Sequence, residues 1–343
     1  MEPGSAENGL LRATREGRGP SFVRPALFLV VEQALTLATS VIVGVVVGVI
    51  FILPRVLQSG ALDQAALVQD ARTMLTQGWV ALAVSLIGFL VIIACTYGWV
   101  KWVERRPFRS VGLVTRRPLL EWMRGMLFGA GMMIVTAALI GFTGGLRWEG
   151  VAAAGVGPAL LWTVVTLAFY LIQGPAEEVM ARGYLMPTLG ARGGVWLGVV
   201  VSSLIFAAEH LLNPNMSVLA VLNLFLYGVF AALYALREEG LWGIFGFHTA
   251  WNWMQGSVLG MAVSGANLSP APLFSLTLTG PAWWSGDAFG PEGGLAASLP
   301  LLAGIGALLL WKAGPLTRAA APAVSQGAAP AVTGADATRE EER

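Results

Sequence analysis

Residues 26–53, ALFLVVEQALTLATSVIVGVVVGVIFIL, form an almost unbroken apolar run. A bilayer core about 30 Å thick is crossed by about 20 such residues, so this run fits a membrane better than a soluble core. It is longer than a secretory h-region and lacks a small-residue cleavage site, and it therefore reads as an uncleaved anchor. Seven further segments meet the same yardstick: 79–100, 125–143, 157–176, 194–212, 217–236, 241–262 and 295–312. The run 194–212 is the least regular, because Glu209 and His210 interrupt it. Composition agrees, with 56% of residues apolar and only 12% charged, about half the charge of a soluble domain. The expected fold is all-α: a polytopic membrane helix bundle of about eight transmembrane helices.

Composition also excludes several functions. A net charge of +1 leaves no basic face for nucleic acid. The single cysteine, Cys95, has no partner for an internal disulfide, and two histidines cannot build a multi-histidine metal cage. The expected partners are the lipid bilayer and a peptide or membrane-protein substrate.

The basic residues orient the chain. With eight spans and the N-terminus inside, the inner segments hold Arg12, Arg15, Arg18, Arg24, Lys101, Arg105, Arg106, Arg109, Arg116, Arg117, Arg124, Arg182, Arg192, Arg237, Lys312, Arg318, Arg339 and Arg343. The outer segments hold Arg55, Arg72 and Arg147. That asymmetry is the positive-inside bias, and it places both termini in the cytoplasm of a multi-pass cell-membrane protein. The chain then divides into a polar N-terminus (1–25), three N-terminal spans (26–150), a core (151–265), an outer loop with the last span (266–312), and an Ala/Pro/Gly-rich tail (313–343) that cannot bury a core. The excess of arginine over lysine, with abundant alanine and glycine, points to a bacterial genome rich in GC.

Charge inside a membrane costs about 2.5–3.5 kcal/mol per residue on insertion scales, so it persists where it is paired or functional. Three polar clusters interrupt the apolar helices. In the first, Gly174-Pro175-Ala176-Glu177-Glu178-Val179-Met180-Ala181-Arg182, Glu178 and Arg182 are one turn apart and face each other. Glu177 points about 100° away and is left free. Pro175 removes a hydrogen bond just before the pair. In the second, Phe206 and His210 share one helix face. In the third, His248 and Asn252 project from one face, a turn apart. The bland alternatives are a solvated helix end, a packing histidine and an interhelical hydrogen bond. Both histidines of the chain fall in these clusters, which favours function. Measured along the helices from the turn near Gly190, Glu177 lies at about 20 Å and His210 at about 26 Å, deep for a straight helix.

Glu177-Glu178-x-x-x-Arg182, Phe206-x-x-x-His210 and His248-x-x-x-Asn252, in this order on apolar helices, resemble the CPBP family, also called ABI. Its members are CAAX prenyl endopeptidases (type II) and bacteriocin-processing enzymes, which are intramembrane proteases. The resemblance covers residues 157–265. It implies an intramembrane endopeptidase acting on a membrane-associated protein or peptide. Glu177 would activate water with help from His210, and His248 and Asn252 would stabilise the oxyanion. Glu178, Arg182 and Phe206 would be supporting residues. A metal-free reaction is expected; the alternative is a zinc held by His210 and His248 with a carboxylate. The competing reading from another class is a non-catalytic immunity, partner or transport module built on the same polar groups.

Overall fold

A computed structural model describes residues 8–54, 57 and 64–311. The tail 313–343, Arg55 and Lys312 lie outside the described residues. Helix α1 (Gly9–Ala13) precedes α2 (Val23–Val47), which runs on as a π-helical turn, Gly48–Ile52. Then come α3 (Gln64–Thr76) and α4 (Gly78–Gly98), with its continuation Trp99–Val103, followed by α5 (Pro118–Phe142). Helix α6 (Val156–Glu178) passes through a π-helical stretch, Val179–Leu185, into α7 (Met186–Gly193). The remaining long elements are α8 (Val195–Glu209), α9 (Val218–Glu238), α10 (Trp242–Trp253, extended by Met254–Val258) and α12 (Leu295–Leu310), with the short α11 (Ala282–Ser285) before the last. One antiparallel ribbon, β1 (Leu146–Val151) with β2 (Phe274–Leu278), is added to the all-α bundle.

All eight apolar runs become helix, but not eight equal spans. Among the described residues, five helical runs are long and apolar enough to cross a membrane: Val23–Ile52, Gly78–Val103, Pro118–Phe142, Val156–Gly193 and Val218–Glu238. Val195–Glu209 and Leu295–Leu310 are shorter apolar helices. At 1.5 Å per residue, α8 reaches only about 22 Å.

The run expected at 241–262 is an interior helix. Every residue from Gly243 to Asn252 is buried. It sinks between its neighbours because glycines let backbones touch. A Cβ on Gly125 or Gly129 of α5 would fall 1.8 Å or 2.2 Å from the carbonyl oxygen of Gly243 or Phe247. A Cβ on Gly246 would fall 2.0 Å from that of Trp122. This is the small-residue packing by which membrane helices replace the missing hydrophobic drive.

Contacts at the helix ends gather the loops into two groups. At one end Arg24 pairs with Glu104 (3.0 Å), Asn8 donates to the Leu236 carbonyl (2.8 Å), the Trp242 indole donates to the Leu113 carbonyl (3.0 Å), and Arg124 pairs with Glu238. At the other end the β1–β2 ribbon joins segment 259–294 to the link before α6, and Asn213 donates to the Ser264 carbonyl (3.1 Å). The N-terminal segment is more than a polar leader, since Leu10 and Leu11 of α1 are buried.

Candidate active site

The helical run of α6 does not stop at residue 176. It continues to Gly193, turns at Gly194 (φ +97°), and α8 returns antiparallel beside it. Glu177 lies 17 residues before Gly194 and His210 lies 16 after it, so the returning helix brings the two nearly level. That removes the depth conflict, which arose from treating the turn as a fixed point at the membrane surface. Pro175 stays inside α6, and the wider π-helical stretch begins directly after Glu178.

The three clusters line one cavity of about 570 Å³. Glu177, Phe206, His210, His248 and Asn252 all face it. The N-terminal helices also contribute, through Glu32, Gln33 and Thr36 of α2 and Phe89 of α4. Asn213, Ser264 and Glu292 wall it at the end opposite the arginines.

Helices α6 and α10 approach closely because Gly174 has no side chain. A Cβ there would sit 3.1 Å from the Cβ of His248 and from the Thr249 nitrogen. The Thr249 hydroxyl donates to the Tyr170 carbonyl (3.1 Å) just beside this contact.

Glu178 and Arg182 pair as expected, at 3.2 Å, with both side chains fully buried. Glu178 does more than neutralise the arginine. Its Oε1 also faces His248 Nδ1 at 2.8 Å and accepts from the Tyr227 hydroxyl at 3.3 Å. The ring of Phe206 lies against the Arg182 guanidinium, 4.4 Å from centroid to Cζ, and stacks on Tyr227 at 5.4 Å. A buried guanidinium on an aromatic face is a cation–π contact, and it gives the phenylalanine of the second motif a physical task.

Glu177 is held differently. Oε1 accepts from Gln173 Nε2 at 2.7 Å, while Oε2 is buried without a hydrogen-bond partner, 3.7 Å from His248 Nε2. Asn252 Nδ2 donates to Gln173 Oε1 at 2.8 Å. His210 turns Nδ1 to the Phe206 carbonyl (2.8 Å) and packs on the Phe206 ring at 4.8 Å. With Nδ1 carrying the proton, a neutral His210 has its lone pair on Nε2.

Gln173 and Tyr227 are additions that sequence reasoning missed. A signal for Gln173 existed, since it stands one turn before Glu177 on the same face of an apolar helix. Glu32 was equally visible as a lone charge in the first apolar run. It is buried, accepts from Thr36 (2.9 Å) and Gln33 (3.1 Å), and Gln33 reaches on to Glu209.

A catalytic zinc needs three protein ligands converging on one point. Among the described residues no three His, Cys, Asp or Glu side chains form such a group. His248 faces Glu178 through Nδ1, and that carboxylate already holds Arg182. The donor set does not fit a zinc site of this kind.

No curated protein matches the chain. A family model does, and it spans α6 to α10 with all three motifs. The match supports an intramembrane protease of the CAAX type: residues 158–254 of this chain match the family described as type II CAAX prenyl endopeptidase Rce1-like.

Proposed function

We propose that the protein is an intramembrane endopeptidase that hydrolyses peptide bonds with water activated by Glu177. The observation that carries this reading is the buried Oε2 of Glu177, which has no hydrogen-bond partner and lies 3.7 Å from His248 Nε2, on a residue that lines the cavity. A carboxylate oxygen so placed takes a proton from water, and the hydroxyl oxygen adds to the scissile carbonyl. The free Nε2 of His210 accepts a hydrogen bond from the same water. The oxyanion receives the second N–H of Asn252 and the Nε2–H of His248 when that ring is protonated; Glu178 fixes the ring through Nδ1. The proton on Glu177 passes to the leaving amine as the C–N bond breaks. No metal is needed for any step. Both termini lie on the arginine-rich, cytoplasmic side of the cell membrane, and the substrate is a membrane-associated protein or peptide.

The test uses the full chain in detergent or vesicles with two quenched reporter peptides, one farnesylated and ending in a CAAX sequence, the other an unprenylated membrane-inserting peptide. Cleavage of either, lost in Glu177→Gln and indifferent to a chelator, is expected. Cleavage unaffected by Glu177→Gln overturns the assignment of the base. Chelator inhibition reversed by zinc overturns the metal-free reaction. Binding of both peptides without cleavage supports a non-catalytic module instead.

A further inference from the structure

Gln173 belongs to none of the three motifs, yet both ends of its carboxamide are engaged inside the site. Its Nε2 donates to Glu177 Oε1 at 2.7 Å, and its Oε1 accepts from Asn252 Nδ2 at 2.8 Å. Gln173 and Glu177 are one turn apart on α6, as Asn252 and His248 are on the facing α10. The four side chains therefore form two levels, Gln173 with Asn252 and Glu177 with His248. All four are buried.

The polarity of this chain of contacts follows from the charge at one end. An ionised carboxylate only accepts hydrogen bonds, so the Gln173 group facing Glu177 is its NH₂. The carbonyl end of Gln173 then faces Asn252, and Asn252 turns its own NH₂ toward it. One Asn252 N–H is used in this contact and the other is left for the cavity. Orientation thus passes from Glu177 through Gln173 to Asn252.

We propose that Gln173 is a positioning residue of the peptidase site. This rests on the reading of Glu177 and Asn252 given above. It holds Glu177 through Oε1 and so leaves Oε2 without a protein hydrogen bond for the attacking water, and it keeps the donor end of Asn252 where an oxyanion develops. Without it Glu177 is free to turn, and Asn252 can present its carbonyl oxygen, an acceptor where a donor is required. Gln173 itself lines the cavity, but a replacement of similar shape keeps the wall that meets substrate. The loss falls on kcat, with KM little altered, because the interaction is expressed in the transition state.

The experiment compares Gln173→Met, of similar shape but without donor or acceptor, and Gln173→Glu, which sets an acceptor against Glu177. Both are measured on the farnesylated quenched peptide, with a melting curve for each. A misplacement of about 1 Å costs on the order of 10²-fold in rate, and kcat is expected to fall by that order in Gln173→Met and at least as far in Gln173→Glu. A side chain that only fills space would be replaced by methionine without loss, so wild-type kcat in Gln173→Met overturns the proposal. So does a change confined to KM. In an Asn252→Ala background the effect of Gln173→Met should shrink, because one of the two groups it orients is gone. Full additivity also overturns it.

A structure of Gln173→Met provides a readout without substrate. Glu177 and Asn252 should leave their present rotamers, and retention of both counts against the assignment. If Glu177→Gln keeps normal turnover, the reading of the site itself falls. If Glu177→Gln is inactive while Gln173→Met is normal, only the role of Gln173 falls.

Discussion

Glu177 and Glu178 are neighbours in the chain and occupy two different regions of the bundle. Glu178 faces a fully buried pocket in which Arg182, His248 and Tyr227 gather on its Oε1, Arg182 lies 3.2 Å from its Oε2, and Phe206 covers the guanidinium. Glu177 faces the cavity, with one oxygen held by Gln173 and the other unpartnered. The rotation of about 100° per helical residue separates them. One turn of helix thereby supplies both a structural anchor and a reactive group, and the two should respond to substitution in different currencies: stability for Glu178, rate for Glu177.

The largest effect should come from the ion-paired side. Removing one partner of a buried ion pair leaves the other charged and uncompensated, at a cost of about 3–5 kcal/mol. Arg182→Ala is therefore expected to lower the unfolding free energy in detergent by that amount and to reduce yield. Glu177→Gln should leave the melting curve near wild type while turnover falls by about 10²–10⁴. If the two variants lost stability equally, the separation of roles would be wrong.

Asn252→Ala probes the cavity side from the facing helix. Loss of one oxyanion donor costs about 10²–10³ in rate. Turnover should fall in that range with the fold retained, measured on the farnesylated reporter beside a melting curve. A change in KM alone would place Asn252 in substrate binding instead.

These contrasts show what the sequence made legible. Contacts within one helix could be read from spacing: the Glu178–Arg182 pair and the shared face of Phe206 and His210 both follow from a step of four residues. Contacts between helices could not. Tyr227 reaches Glu178 from α9, and Gln33 of α2 reaches Glu209 at the end of α8, and no periodicity ties such positions together. Nor does apolarity separate a lipid-facing helix from an interior one. Helix α2 exposes Leu27, Val30 and Leu35, while α10 is buried from Gly243 to Asn252, yet both read as spans. The glycines on α5 and α10 were the signal that distinguished them.

A smaller effect tests the cover over Arg182. Phe206→Leu keeps an apolar side chain but removes the aromatic face from a desolvated guanidinium, a contact of about 2 kcal/mol. Stability should fall by that amount. Turnover should fall less than in Asn252→Ala, because Phe206 neighbours His210 without donating to a reacting atom. A rate loss as large as that of Asn252→Ala would show that the ring mainly places His210.

The smallest expected effect lies at the roof of the cavity. Glu292 accepts from the Trp251 indole through Oε1 (3.0 Å) and from the Ser264 nitrogen (2.8 Å) and hydroxyl (3.0 Å) through Oε2. It thereby ties segment 259–294 to α10, beside Asn252. Glu292→Gln preserves shape but replaces one acceptor oxygen with an amide that donates. Whichever way the amide turns, a donor meets either the indole N–H or the Ser264 N–H. The loss is one charge-assisted hydrogen bond, about 1.5 kcal/mol, so the melting point should drop only modestly. Ser264 walls the cavity without touching Glu177, and a loosened roof should therefore raise KM a few-fold while kcat stays near wild type. A fall in kcat with unchanged KM would mean that Glu292 acts through Trp251 on the neighbouring Asn252, which would extend the cavity side of the comparison to the roof.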